Sequence, residues 1–366
     1  MSSPAPVPQQ SRRISARRSL IGSIALIALC VLTLIATLTP SPYVIESAGP
    51  TVDVLGEVDG TQVIEVKGSE PEKPDGQLRM TTVAVLGAPG QPAPTTAVFA
   101  AWFDPTKSIL PREAVYPDTQ DEEGNKLMTS AQMSSSQQEA IAVALAAQGM
   151  ESTPVVRISG VRSDGPAAQL LKPGDRVVSV NGTESDEVPA LQKATADTPA
   201  GGTADFVVER DGKRTTVSVP VEQKDGRSVV GIVLTPGFDF PVDVRIALDG
   251  IGGPSAGLIF ALGIYDEMTP GSLTGGKRIA GTGTIDQSGA VGPIGGIRQK
   301  LVGAKEDGAE FFLAPADNCA EVVGHVPDGL SVVRVSTFED AKHAVETIAD
   351  SGSTAGLPTC TASERT

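Results

Sequence analysis

Residues 250–257, GIGGPSAG, with the apolar run LIFAL behind them at 258–262, are the stretch around which the chain is organised. A turn rich in glycine and proline delivers Ser255 to the first turn of a predicted helix, and Pro254 suits that start because its φ is already helical. The helix is apolar on nearly every side, which predicts burial. Ser255 would then lie beside unpaired N–H groups at the positive end of the helix dipole, where an oxyanion is stabilised. Serine is also a favoured N-cap residue, so this stretch alone leaves a structural role open.

A second predicted helix, residues 297–306, contains a lysine that could serve such a serine. Ile297, Lys300, Leu301 and Ala304 follow the helical spacing i, i+3, i+4, i+7, which places Lys300 at the edge of an apolar stripe. Burial lowers the pKa of a lysine because it disfavours the charged form, and a neutral lysine can accept the Oγ proton of a neighbouring serine. The alternative is a lysine whose stem covers apolar surface while its ammonium stays in water, and the helix alone favours that alternative.

Three motifs favour the catalytic role of Lys300 over the solvent-exposed alternative. They are GPSAG around Ser255, AGTGTI around Thr282, and PIGGIRQKL ending just past Lys300. Together they resemble the proteolytic domain of Lon proteases, in the same order and at similar spacing, over roughly residues 240–350. The resemblance implies a Ser–Lys dyad with Ser255 as nucleophile and Lys300 as base. Thr282 matches the threonine that helps to hold the lysine, and the backbone N–H groups around Gly253 and Ser255 are expected to stabilise the oxyanion.

The chain departs from the Lon pattern in two respects. Lon enzymes commonly have an acidic residue three positions before the serine, where Gly252 stands here, and Asp249 is near but displaced. The run closest to a nucleotide-binding P-loop, GSLTGGKR at residues 271–278, ends in arginine and has no hydroxyl for Mg²⁺. The sequence therefore predicts cleavage without ATP, of polypeptide segments that are exposed or already unfolded.

A different pattern occupies the middle of the chain: GPAA at residues 165–168, LKPGD at 171–175 and VNG at 180–182. It resembles the PDZ domains of bacterial protease-associated proteins over about 70 residues. The resemblance implies binding of extended peptides, often C-termini, by addition of a strand to a sheet edge. A small β-domain that only packs is the alternative. With a membrane anchor in front, the whole chain resembles the PDZ–Lon membrane proteins of actinobacteria and Firmicutes.

The anchor is predicted at Ser19 to Leu38, twenty residues without a charge, long enough to span a bilayer. Arg12, Arg13, Arg17 and Arg18 precede it, which places the N-terminus in the cytoplasm and the chain after about residue 40 outside it. A cleaved signal peptide is the alternative, but the apolar run is long for one and no A-x-A site follows.

Cysteine usage fits an oxidising compartment. Cys30 lies within the apolar run, which leaves Cys319 and Cys360 as an even pair. A disulfide between them would contribute roughly 3–4 kcal/mol and hold the C-terminal tail to the last domain. Two free thiols are the alternative.

Composition excludes several classes of partner. A formal net charge of −15 argues against nucleic acid, because phosphate binding needs a basic surface. The two histidines have no neighbouring cysteine or paired carboxylates, so a metal site is not expected. No cofactor is expected either. Lon-type domains assemble into rings, and the resemblance therefore leaves a homo-oligomer open.

These patterns predict a multidomain α+β chain. The predicted order is a disordered cytoplasmic tail (1–18), a transmembrane helix (19–39), a β-rich membrane-proximal scaffold ending in a helix (40–150), a PDZ-like domain (151–224), a mixed α/β Lon-type proteolytic domain (225–350) and a C-terminal tail (351–366).

The expected function is that of an ATP-independent, membrane-anchored serine endopeptidase that acts on extracytoplasmic polypeptides, with the PDZ-like domain recruiting substrate or regulating cleavage. An inactive membrane-anchored peptide-binding scaffold is the main alternative. Residues 253–257 also fit G-x-S-x-G, the nucleophile elbow of α/β-hydrolases, but that fold needs a large parallel sheet before the serine, where the PDZ-like pattern lies.

Overall fold

The computed structural model describes residues 9–68, 75–116, 121–199, 201–224, 226–248 and 250–361. The chain divides into two compact units, one formed by Met1–Glu46 with Val85–Asp118 and the other by Ser47–Ala84 with Thr119–Thr366. Residues 1–8 of the predicted disordered tail, residues 362–366 of the C-terminal tail, and Asp249 lie outside the described residues.

In chain order the helices are α1 (Gln9–Leu38), α2 (Thr95–Ala101), α3 (Arg112–Val115), α4 (Glu122–Ala147), α5 (Val188–Ala196), α6 (Gly257–Met268), α7 (Ile297–Glu306), α8 (Cys319–Val322) and α9 (Phe338–Ser351). The strands are β1 (Tyr43–Asp53), β2 (Glu57–Val58), β3 (Thr61–Gln62), β4 (Ile64–Val66), β5 (Gln77–Leu86), β6 (Ser108–Pro111), β7 (Thr153–Val161), β8 (Arg176–Val180), β9 (Thr183–Glu184), β10 (Thr203–Arg210), β11 (Lys213–Pro220), β12 (Glu222–Lys224), β13 (Arg227–Val229), β14 (Ile232–Asp239), β15 (Val244–Ile246), β16 (Arg278–Gly281), β17 (Thr284–Ile285), β18 (Val291–Gly292), β19 (Phe311–Pro315) and β20 (Ser331–Val335).

The first unit contains α1, which begins at Gln9, so residues 9–18 of the predicted disordered tail continue the helix. Ser19–Leu38 has a mean hydropathy of 2.6 and none of it is buried. By length and composition it could cross a membrane, a property that signal sequences share. In the same unit the start of β1 pairs antiparallel with β6, from Tyr43 opposite Pro111 to Glu46 opposite Ser108.

The second unit contains a sheet with the strand order β20-β19-β16-β5-β1, in which β16 runs parallel to both β19 and β5. Successive residues of β19 point to opposite faces: Phe311 and Leu313 pack in the core formed with α4, α6 and α9, whereas Phe312 and Ala314 pack with α7. Helices therefore cover both faces of the parallel part of the sheet. This arrangement confirms the predicted mixed α/β architecture.

A separate sheet, ordered β11-β10-β8-β7-β14, forms with α5 the PDZ-like part of the same unit. Its hairpin between β10 and β11 turns at Asp211 and Gly212, with φ values of 51° and 71°, the left-handed pair that a two-residue turn requires. Strand β14 lies at the edge of this sheet, with β7 as its neighbour on one side only. An added strand could pair at an edge of this kind.

The predicted scaffold of residues 40–150 is distributed between the two units. Residues 77–80 of β5 pair with residues 278–281 of β16, about 200 positions later in the chain. Helix α4, which is predicted over residues 131–148, extends from Glu122 to Ala147 and packs against α6, β7 and β14. Pairing at such a separation leaves no local signal, which explains why the sequence suggests a scaffold of its own here.

Candidate active site

Ser255 lies in the turn before α6, not in the helix. The first helical residue is Gly257, preceded by Ala256 as the N-cap, so Ser255 lies two residues before the helix and not in its first turn as the sequence predicts. Two hydrogen bonds fix its backbone: its carbonyl oxygen accepts from the N–H of Gly283 at 2.9 Å and from Oγ1 of Thr282 at 2.9 Å. The half-buried side chain contacts the neighbouring lysine through Oγ.

Lys300 is buried, with 2% of its surface exposed, and it belongs to α7. Its Nζ lies 2.7 Å from Oγ of Ser255 and 2.8 Å from Oγ1 of Thr282. The alternative of an ammonium in bulk water, which the helix pattern alone favours, is therefore wrong. The three motifs converge on one cluster of side chains although they lie on α7, on the segment after β16 and in the turn before α6.

Thr282 connects the serine and the lysine. Its side chain is fully buried, and its hydroxyl donates to the Ser255 carbonyl while it accepts from Lys300 Nζ. A hydroxyl has one proton, so the donation to Ser255 leaves its lone pairs to the amine. The amine is thereby fixed in direction, and when it is neutral its own lone pair can point at the Oγ–H of Ser255.

Glycines let α7 begin close to β5. Gly296, the N-cap of α7, has a φ of 67°, and a Cβ there would lie 2.6 Å from Cγ2 of Val83. Any other residue would both strain the backbone and push α7 away from the sheet. Gly296 thus helps to set the depth at which Lys300 enters the site.

Helix α4 holds the loop that carries Ser255. The N–H of Gly253 donates to the carbonyl of Thr129 at 3.0 Å, and Oγ of Ser136 donates to the carbonyl of Pro254 at 2.9 Å. A Cβ on Gly252 would lie 2.9 Å from the Cβ of Thr129. The position where Lon enzymes commonly have an acidic residue is therefore filled by α4.

The contribution of α4 is missing from the sequence prediction. Thr129 and Ser136 are seven residues apart, so both lie on one face of the helix. The sequence offers little signal for this pair, because Ser and Gln residues surround both positions in α4. The sequence does not show which residues Thr129 and Ser136 contact, because Gly253 and Pro254 are more than 100 residues away.

A cavity of about 420 Å³ opens beside the serine and the lysine. Its lining comes from the Ser255 loop, from the middle of β5 and from α4. The lining residues are Pro50, Met80, Thr81, Thr82, Val83, Met133, Gly250, Ile251, Gly252, Gly253, Pro254, Ser255, Ala256, Gly295 and Lys300. None of these residues has an acidic side chain.

Asn318 fixes the segment that leads into α7. Its Oδ1 accepts from the N–H of Ile294 and its Nδ2 donates to the carbonyl of the same residue, each at 2.9 Å. The next residue, Cys319, forms a disulfide with Cys360, with Cα atoms 5.0 Å apart. The C-terminal tail is thus covalently joined to the residue next to Asn318.

A second, larger cavity of about 860 Å³ lies between α5 and β14. Ile232, Val233 and Leu234 of the edge strand line one side of it, and α5 lines the other. Leu127 and Met128 of α4 also contribute to its wall. An extended peptide in this cavity could pair with β14, which is the binding mode that the PDZ resemblance implies.

Two carboxyl groups in the second unit have strongly raised pKa values. Burial, with a smaller contribution from the charge of Asp286, raises the pKa of Glu139 on α4 to about 7. Burial and the neighbouring Asp266 raise the pKa of Glu267 on α6 to about 7. Among the described residues, no group of three or more His, Cys, Asp or Glu side chains could hold a metal ion.

Two protein families match parts of the chain. Residues 132–221 match the PDZ domain, and residues 249–347 match the C-terminal proteolytic domain of Lon protease (S16). The first match includes most of α4 and strands β7 to β11, but it ends before β14. The second runs from the Ser255 loop into α9.

Individual relatives agree with the second match. Lon protease of Azospirillum brasilense is 39% identical over 97 residues, which are 25% of this chain and 12% of that protein. Lon protease 2 of Bacillus subtilis (strain 168) is 34% identical over 101 residues, 27% of this chain and 18% of that protein. The chain thus spans less than a fifth of the length of these relatives. The solved PDZ domain of an SdrC-like protein from Listeria monocytogenes aligns with 22% of this chain and 86% of its own, at 22% identity and a TM-score of 0.21.

Proposed function

Since the chain contains a PDZ domain and a C-terminal proteolytic domain of the Lon type, we propose that it is a membrane-anchored serine endopeptidase. It hydrolyses peptide bonds of extracytoplasmic polypeptides without ATP. The observation that carries the proposal is the contact of 2.7 Å between Nζ of the buried Lys300 and Oγ of Ser255. A buried amine beside a serine hydroxyl, at the edge of an open cavity, supplies a base and a nucleophile together.

In the proposed reaction, neutral Lys300 accepts the proton of Ser255 as Oγ attacks the peptide carbonyl carbon. The tetrahedral intermediate collapses when the C–N bond breaks, and Lys300 returns the proton to the leaving amine. Lys300 then takes a proton from water as the water oxygen attacks the acyl-enzyme ester. The C–Oγ bond breaks, Lys300 returns the proton to Oγ, and the carboxylic acid is released with Ser255 and neutral Lys300 restored. Thr282 acts as a positioning residue, because its hydroxyl directs the amine and fixes the serine backbone.

The oxyanion is proposed to be stabilised by backbone N–H groups around Gly253 and Ser255. The N–H of Gly253 already donates to Thr129 at 3.0 Å. Gly253 can therefore contribute only if substrate draws its N–H away from Thr129. Its φ of 92° and the open space around its Cβ position fit a hinge of that kind.

The PDZ domain is proposed to bind an extended peptide segment at β14, in the cavity of about 860 Å³. Such binding either brings a substrate to the protease domain or regulates its cleavage. Residues Ser19–Leu38 are proposed to hold the chain in the membrane with the N-terminus in the cytoplasm. The disulfide between Cys319 and Cys360 supports an oxidising compartment for the second unit.

The test uses the full chain in lipid nanodiscs, incubated with an unfolded model protein, with fragments identified by mass spectrometry. Wild type is compared with Ser255→Ala and with Lys300→Met, which keeps the volume of the lysine stem. Lys305→Ala is the matched control, because Lys305 lies on the same helix but donates to Gly329 at the surface.

Cleavage by wild type and by Lys305→Ala, and by neither dyad variant, is the expected result. Cleavage that persists in Lys300→Met would remove the lysine from the mechanism. If wild type cleaves nothing while peptides bind to it, the chain acts as the peptide-binding scaffold instead.

A further inference from the structure

We propose that α2 and the two residues after it form a second membrane contact, in which Phe99, Trp102 and Phe103 insert into the interfacial layer of the bilayer. The inference rests on the proposed membrane anchoring by α1 and adds a contact that a single spanning helix does not require. These three side chains are called the aromatic patch below.

The aromatic patch is exposed in the folded chain. Phe99, Trp102 and Phe103 have 61%, 77% and 76% of their surfaces exposed. The rings of Phe99 and Phe103 pack edge to face at 5.2 Å, so they form one continuous apolar surface. Trp102 is the only tryptophan of a chain in which aromatic residues amount to 4%. Exposed apolar surface of this kind marks a contact with another molecule or with lipid.

The patch lies beside the end of the predicted span. The carbonyl of Thr39, the residue directly after α1, accepts from both the N–H and Oγ1 of Thr95, the first residue of α2. The N–H of Ser41 donates to the carbonyl of Ala93 at 2.8 Å. Helix α2 therefore begins at the level where the apolar segment ends, within the same compact unit.

Helix α2 has two different faces. Ala101 is buried with Ile45 and Ala93, and Ala97 and Val98 pack against them. The aromatic patch is on the opposite, exposed side, and α2 contains no acidic residue in its first turn and no basic residue in its last. The inner face is thus already covered by protein, and the outer face needs a different partner.

Lipid fits this outer face better than water or a soluble protein does. Tryptophan is enriched where a span meets water, because its ring prefers the interfacial region. Amphipathic helices lie in that layer with their apolar face inward. After Phe103 the chain turns polar at once: Asp104 accepts from Thr106 and forms an ion pair with Lys107 at 3.2 Å. This polar turn gives the patch a boundary that suits the headgroup region.

The test uses the fluorescence of Trp102, which reports on this site alone because the chain has no other tryptophan. The full chain is reconstituted in phosphatidylcholine vesicles that contain lipid brominated either near the glycerol end of the acyl chains or near the bilayer centre. The expected result is emission shifted to the blue and quenched most strongly by bromine near the glycerol end. Trp102→Phe combined with Leu29→Trp places the fluorophore in the middle of the span as the matched control.

The outcomes separate the two proposals. If the control is not quenched by bromine near the bilayer centre, the anchoring itself is wrong. If the control is quenched while Trp102 emits as in water, the second contact is wrong and the anchor stands. Blue-shifted emission of Trp102 that brominated lipid does not quench would mean that protein, such as a second copy of the chain, covers the patch, and would also overturn the inference.

Discussion

The N–H of Gly253 donates a hydrogen bond to the carbonyl of Thr129 across 3.0 Å, which ties the Ser255 loop to α4. Thr129 directly follows Leu127 and Met128, which line the cavity beside β14. One helix therefore contacts both the proposed peptide-binding cavity and the proposed catalytic loop. Both sites therefore depend on the position of α4.

Gly252→Ala is expected to displace the Ser255 loop from α4. The new Cβ would lie 2.9 Å from the Cβ of Thr129, closer than two carbons can approach. Overpacking of this kind costs about 1–3 kcal/mol of the free energy of unfolding. We expect a loss in that range by denaturant unfolding, together with a loss of kcat/KM. Gly295→Ala is the control for stability, because nothing lies within 4 Å of its Cβ position. A Gly252→Ala protein as stable and as active as wild type would show that the loop does not need this close contact.

Thr282→Val is expected to lower the rate more than the stability. The substitution removes the hydroxyl that directs Lys300 Nζ but keeps the shape, and the Ser255 carbonyl retains its bond from Gly283. Loss of one buried hydrogen bond costs about 1–3 kcal/mol, which is about 5- to 150-fold in kcat/KM if the cost falls on the transition state.

Thr282→Ser keeps the hydroxyl and should retain most of the activity. The comparison of kcat, KM and thermal midpoint for the two variants checks this prediction. Equal kcat in Thr282→Val and wild type would mean that the lysine is directed without the threonine.

Glu267→Gln is expected to stabilise the chain at alkaline pH. The pKa of Glu267 is raised to about 7 from 4.5, mainly by burial, and the residue is 6% exposed. Between these two values the folded chain binds the proton more tightly than the unfolded chain does. The contribution of this group to stability is therefore present below about pH 4.5 and is lost as the pH rises through about 7, by up to about 3 kcal/mol.

The measurement is the difference in free energy of unfolding between wild type and Glu267→Gln from pH 4 to 8. The difference should grow in favour of the variant as the pH rises. Glu306→Gln on the exposed side of α7 is the control for the same chemical change at the surface. A difference that does not change with pH would mean that Glu267 titrates normally.

Local patterns predicted some of these features well, and others depend on contacts that no local pattern encodes. The helix predicted at residues 297–306 has the same bounds in the structure, because its apolar spacing is regular. Ser255 lies before α6 and not within it, because its carbonyl bonds Gly283 and Thr282 in place of the helix. The pattern around Lys300 favoured a solvent-exposed amine, because the ten residues of this helix contain no information about which distant segments cover its edge.

Cys360→Ser tests the remaining long-range contact. The disulfide with Cys319 closes a loop with a sequence separation of 41 residues, and its loss should cost about 3–4 kcal/mol of the free energy of unfolding. Because Cys319 adjoins Asn318, which holds the segment before α7, kcat should fall as well. Cys30→Ser is the control, since Cys30 is exposed on α1 and unpaired in this structure. Reductant should lower the stability of wild type and of Cys30→Ser to that of Cys360→Ser; if all three chains unfold alike before reduction, the bond contributes nothing to the fold.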